Sequence, residues 1–133
     1  MLTNETCPRY FLGVGHERGA ALADIEALVE AGLRQCHLSP ADIALVASID
    51  GKRQAGLITA LGARFRVEVR FFSASVLEAE TPRLQNPSEA VFRRMGCHGV
   101  AEAAALAGAG SQAKLILPKT SGQGVTCAIA QAG

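Results

Sequence analysis

Aromatic side chains are scarce in this sequence. It holds no tryptophan, one tyrosine and five phenylalanines, which argues against a platform for stacking nucleic-acid bases. A dominant charge is missing too, since 13 Lys plus Arg face 12 Asp plus Glu. A net charge of +1 makes no broad basic field for a polynucleotide, so any anion recognition must be local. No run approaches the ~18 consecutive apolar residues of a membrane-spanning helix. Met1 to Arg9 is polar and contains Pro8. It lacks the continuous apolar core and small-residue cleavage site of a signal peptide, and it is expected to be flexible. The four cysteines, Cys7, Cys36, Cys97 and Cys127, form no CxxC pair. They read as reduced cytosolic thiols rather than a disulfide framework. The neighbours Cys36–His37 and Cys97–His98 do not suggest a zinc site, because adjacent side chains rarely point at one metal. No metal and no required cofactor are expected.

What is present is globular: 49% hydrophobic and 19% charged residues over 133 positions. That is one domain spanning residues 1–133, long enough to bury a core without staples. Tyr10 to Val14 is a short apolar run ending among glycines, a buried strand and a tight turn. Leu22, Ile25, Leu28, Val29 and Cys36 recur at helical spacing. Ser39-Pro40 caps a brief turn. Ile43 to Ile49 is continuously apolar, as in a central strand covered on both faces. Lys52 to Leu61 predicts a second helix, closed by Gly62. Phe65, Val67, Val69 and Phe71 alternate with Arg66, Glu68 and Arg70, which predicts an edge strand with one wet face. Ser73 or Ser75 caps a short helix through Glu78, and 79–85 reads as a loop. Asn86-Pro87-Ser88-Glu89 starts another helix, with Asn86 as the cap, Val91, Phe92 and Met95 as the buried stripe and Gly96 as the stop. Val100 to Ala107 is a helix of small residues. Lys114 to Leu117 and Val125 to Gln131 are strands joined by a loop over Thr120 to Gly124, short enough to require antiparallel neighbours.

This order implies an α/β fold: three layers, with a mainly parallel five-stranded sheet, helices on both faces and an antiparallel last strand. Right-handed crossovers and an edge third strand suggest the order 3-2-1-4-5. Ligands in such sheets bind beyond the carboxyl ends of the strands, where the order reverses. Two loops would then face each other across the first and fourth strands.

The first loop, Gly13-Val14-Gly15-His16-Glu17-Arg18-Gly19, is compatible with a tight structural turn. It also suits a carboxylate or phosphate cradle, with Arg18 as a bidentate partner. Its GxGxxxG spacing fits a dinucleotide site less well. The second, Leu117 to Gly124, is compatible with a plain hairpin. It also suits a clamp in which Lys119, Ser121 and flexible backbone donors meet an anion. Asp50 ends the second strand at the same rim, where it could cap the next helix, pair with Lys52 or Arg53, or serve as a base. His16 is the best-placed titratable base. His98 and Glu102, four residues apart on a helix, read as a structural pair.

FLGVGHERG (11–19), ALVASID (44–50), RFFSASVLEAE (70–80), NPSEAVFRRMG (86–96), GVAEAAAL (99–106) and ILPKTSGQGVTCAIA (116–130) occur in this order. Together they resemble the CobE family, whose fold also forms the C-terminal domain of the cobalt-precorrin-5A hydrolases. The resemblance implies a cytoplasmic part in vitamin B12 (cobalamin) biosynthesis, with a precorrin or cobalt-precorrin as ligand and other enzymes of that pathway as partners. It implies no nucleic-acid or membrane partner. The residues it marks for ligand binding are Gly13, Gly15, Arg18 and Gly19 in the first loop, and Pro118, Lys119, Ser121, Gly122, Gly124 and Thr126 around the second. Asp50 is its strand-end acid. An accessory or carrier protein of the aerobic pathway is the leading expectation. A precorrin hydrolase or lyase with His16 and Asp50 as catalytic groups is the alternative, and a nucleotide- or phosphate-binding module is the second alternative.

Overall fold

The structure, a computed structural model, describes residues 9–133, except for the side chains of 52–55. The expectations for residues 1–8, including Cys7, and for pairing of Asp50 with Lys52 or Arg53 lie outside the described residues.

The first strand, β1 (Tyr10–His16), feeds the helix α1 (Leu22–Gln35). A single 3-10 turn over Pro40–Asp42 follows, in which the Asp42 carboxylate accepts from the Ser39 N–H at 2.8 Å. Strand β2 (Ile43–Ile49) has the bounds its apolar run predicts. Helix α2 runs over Lys52–Phe65 and so continues past the expected stop at Gly62. Gly62 lies inside it because a Cβ there would strike the Val69 side chain. The helix ends instead at Arg66, in the left-handed conformation.

Strand β3 (Glu68–Phe72) is at the sheet edge, as its alternation implies. The helices α3 (Ala74–Glu78), α4 (Glu89–Met95) and α5 (Ala101–Ala109) then cross the opposite face. The Ser73 hydroxyl caps α3 by accepting from Val76 N at 3.2 Å. The cap of α4 is Ser88, which accepts from Val91 N at 3.2 Å, rather than the expected Asn86. Within α4, Val91 and Met95 are half-buried, but Phe92 is exposed and stacks on His98 with ring centroids 4.4 Å apart. The expected stripe therefore holds in two of three positions. Strands β4 (Lys114–Gly122) and β5 (Val125–Gln131) close the chain as a hairpin.

The sheet order is β3-β2-β1-β5-β4. β1 pairs parallel with β2, β2 parallel with β3, and β5 antiparallel with both β1 and β4. The antiparallel last strand is as expected, but it inserts between β1 and β4 instead of lying outside them. Composition explains the exchange. Cys127 to Ala130 are all buried, as befits a strand covered on both faces. β4 carries Lys114, Pro118 and Lys119, and a proline, which cannot donate to a ladder, belongs at an edge.

Helices cover both faces. Ile25, Val29 and Leu33 of α1 and Ile58 and Leu61 of α2 pack with Leu12, Val14 and Val46 on one side. Leu77, Ala103 and Ala104 pack with Phe11, Leu45 and Ala47 on the other. Helix α5 buries Ala101 to Leu106 without a polar stripe. It lies so close to β1 that a Cβ on Gly13 would collide with the Ala101 carbonyl. Between the neighbouring strands β1 and β2, the buried Ser48 hydroxyl donates to the Val14 carbonyl at 2.6 Å. Burial pushes the Cys127 thiol up to about 12, which keeps it inert.

Candidate ligand-binding cleft

The C-terminal end of β1 and the β4–β5 turn meet at one end of the sheet. His16 lies opposite Val125, and the Glu17 N–H donates to the Gly124 carbonyl at 2.8 Å. The expected loop over Thr120 to Gly124 is mostly strand. Only Gln123 and Gly124 turn, both at positive φ (54° and 74°), the geometry that a two-residue hairpin of strand-matching twist demands.

Beside this junction opens a cleft of about 650 Å³, within the roughly 300–1,000 Å³ common for small-molecule sites. The β1 loop contributes Gly15, His16, Glu17 and Arg18. The hairpin contributes Lys119, Ser121, Gly122, Gly124 and Thr126. The opposite wall comes from α4 and the start of α5, with Val91, Met95 and Val100 as its apolar part and Asn86, Arg94 and Glu102 as its polar part. Three cations thus border one cavity. Among the described residues none of Arg18, Arg94 and Lys119 is held in an ion pair, so each is available to an incoming anion. The combination suits a ligand with an apolar body and several carboxylates: the body against Val91, Met95 and Val100, the acids toward the cations.

Eight of the residues singled out in the sequence are brought together here: Gly15, His16, Arg18, Lys119, Ser121, Gly122, Gly124 and Thr126. Four are not. Gly13 is inside β1 beneath α5, where it permits close packing. Gly19 turns the chain toward α1 at φ 89°, just outside the lining. Pro118 belongs to β4, where its carbonyl accepts from the Thr120 hydroxyl at 3.0 Å. Asp50 is exposed at the end of β2, with its N–H donating to Phe72 O at 2.8 Å, and does not line the cleft. His16 is half-buried, and its Nδ1 lies 3.0 Å from the Glu17 carbonyl.

The α4–α5 wall escaped the sequence reading. The sequence suggests Asn86 as a helix cap, but with Ser88 in that role its side chain turns to Glu102. Glu102 does not pair with His98. Its carboxylate, 2% exposed, accepts from Gln85 N at 2.9 Å, Asn86 N at 3.0 Å, Asn86 Nδ2 at 2.9 Å and Lys119 N at 2.8 Å. Burial by itself raises its pKa, but these donors outweigh burial and hold the carboxyl below the usual range. His98 sits between two other acids. Nδ1 lies 2.9 Å from the Glu78 oxygens and Nε2 lies 3.1 Å from Glu89 Oε2. The Glu78 hydrogen bond, aided by Glu89, raises the His98 pKa. This bridge ties α4 to α3 and so steadies the wall. Among the described residues no group of three or more His, Cys, Asp or Glu could hold a metal, and no helix is long and apolar enough to cross a membrane.

Comparisons with known proteins bear on the fold and the family. A family model described as Cobalamin synthesis G C-terminus matches residues 10–130. Protein CobE from Sinorhizobium sp is 45% identical over 119 residues, covering 90% of this chain and 77% of the relative. Cobalt-precorrin-5A hydrolase from Priestia megaterium is 28% identical over 119 residues, but the chain spans only 31% of that enzyme. The crystal structure of CobE, a protein from the cobalamin (vitamin B12) biosynthetic pathway, superposes with a TM-score of 0.88 at 35% identity, covering 95% of this chain and 92% of that one. With the match running from β1 through β5, the chain belongs to the Cobalamin synthesis G C-terminus family, a family of cobalamin-biosynthesis proteins.

Proposed function

We propose that the cleft binds a precorrin or cobalt-precorrin intermediate, and that the protein serves the aerobic pathway in the cytoplasm as an accessory or carrier that passes this intermediate between enzymes. The observation that carries the reading is the meeting of Arg18, in the loop after β1, and Lys119, on β4, at one cavity with an apolar wall. Precorrins are acid-rich macrocycles. Their acetate and propionate groups call for discrete cations, while the ring needs an apolar face. A net charge of +1 with three cations gathered at one cleft fits such a ligand better than it fits a polynucleotide.

Binding is favoured over catalysis because the cleft holds one of the two expected catalytic groups, His16, and not the other, Asp50. The large hydrolase relative has twice as much chain again outside the matched region, and its activity is not carried over to this domain. The decisive experiment is an anaerobic titration of the pure protein with defined precorrin intermediates, followed by absorbance and mass spectrometry. A saturable spectral shift without mass change is the expected result. Turnover with a mass change would favour a hydrolase or lyase. Binding of a nucleotide and of no intermediate would overturn the reading.

A further inference from the structure

One buried carboxylate joins the two cationic walls of the cleft. Glu102 is at the start of α5, facing the cavity. Three of its four hydrogen-bond donors belong to Gln85 and Asn86, the segment that leads into α4 and hence to Arg94. The fourth is the Lys119 N–H of β4. The β4–β5 register shifts between Leu117 and Thr120. The strand is therefore irregular at Lys119, and its N–H turns to the carboxylate instead of the ladder. With two N–H donors to each carboxylate oxygen, the usual acceptor sites of Glu102 are occupied by the protein itself. That leaves it poorly suited to moving a ligand proton.

We infer that Glu102 is a positioning residue: it fixes the separation of the Lys119 wall from the Arg94 wall, so that the carboxylates of one ligand can reach both. This rests on the reading of the cleft as a polycarboxylate tetrapyrrole site. The inference makes two demands on the molecule. Affinity should depend on Glu102 through Lys119 rather than through overall stability. The Lys119, Gln85 and Asn86 amides should also share one protecting group.

A double-mutant cycle with uroporphyrin, a tetrapyrrole bearing acetate and propionate groups, tests the first demand by fluorescence titration. Glu102→Gln should weaken binding about tenfold, the effect of one lost charge-assisted bond. The same change on a Lys119→Ala background should cost little more. An equal factor in both backgrounds, or wild-type affinity in Glu102→Gln, would overturn the inference. Should Glu102→Gln fail to fold, Asn86→Ala deletes one side-chain donor, keeps the carboxylate, and enters the same cycle with a smaller expected loss. Amide hydrogen exchange without ligand tests the second demand. In Glu102→Gln, or in Asn86→Ala if that variant is needed, Lys119, Gln85 and Asn86 should exchange faster while Leu12 and Ile129 stay slow. Unchanged rates at all three would refute the role of Glu102. Failure of the wild type to bind the porphyrin would instead sink the tetrapyrrole reading, and the exchange rates would still decide the role of the carboxylate.

Discussion

Replacing Gly13 by alanine would drive a methyl group into the backbone of α5. The new Cβ would fall on the Ala101 carbonyl oxygen and lie 2.7 Å from Ala105 N. Ordinary Cβ contacts begin near 3.4 Å. Both partners are helix backbone, so no side-chain rotation can relieve the clash. Either α5 retreats as a unit or β1 buckles. Overpacking a core costs about 1–3 kcal/mol when side chains can adjust, so a backbone collision belongs at the upper end, about 3 kcal/mol. For a domain of this length that corresponds to a fall in melting midpoint of roughly 10–15 °C. The same retreat would draw Val100, Ala101 and Glu102 away from the cleft, so tetrapyrrole affinity should fall with stability. Gly19→Ala is the control. Nothing lies within 4 Å of its Cβ, and only the strained φ of 89° would cost, about 1 kcal/mol. Calorimetric melting with urea midpoints separates the two. A Gly13→Ala variant within about 0.5 kcal/mol of wild type, the range of an ordinary surface change, would refute the close β1–α5 contact.

Glu102 also predicts acid sensitivity. Because its folded pKa lies below the unfolded value, its contribution is full above the ordinary carboxylate range and lost as pH falls through the folded pKa. Urea unfolding from pH 6 downward should show wild type converging on Glu102→Gln, which is weaker by about 2–3 kcal/mol near neutrality. His98 has the opposite sign. Its raised pKa gives stability that is present below the unfolded value and lost as pH rises through the folded one. The His98 imidazole resonances should therefore titrate above the free-histidine midpoint, and the shift should shrink in Glu78→Gln. In the hairpin, Gln123 adopts φ 54°, which asparagine tolerates better, so Gln123→Asn should stabilise by a few tenths of a kcal/mol. A drop in the urea midpoint would contradict that turn geometry.

Local patterns were legible wherever one face or one period dominated. The unbroken run Ile43–Ile49 and the alternation through Val69 and Phe71 specified a central and an edge strand because burial alone decides such patterns. Gly62 misled because a glycine that ends a helix and a glycine that lets a helix approach a strand look alike without the partner, here Val69. The strand order was misread for a related reason. A tight turn makes β4 and β5 neighbours but does not say which of them borders β1, and the signal that does, Pro118 within β4, is weak in a single sequence. The convergence of the β1 loop and the β4–β5 hairpin followed from the rule that open sheets bind ligands where strands end. The α4–α5 wall could not follow from any local rule. Arg94 and Glu102 reach the cleft only because the segment from Ala79 to Ser88 folds over α5, and that depends on contacts between residues far apart in the chain.

The central claim is that Arg18 and Lys119 hold the acid groups of one macrocycle. Titration of Arg18→Ala, Lys119→Ala and wild type with a single defined precorrin tests it most directly. Each variant should melt like wild type but bind on the order of 10- to 100-fold more weakly, the equivalent of losing about 1.5–3 kcal/mol per charge-assisted bond. Undiminished affinity in both variants would show that the macrocycle, if held at all, is held elsewhere.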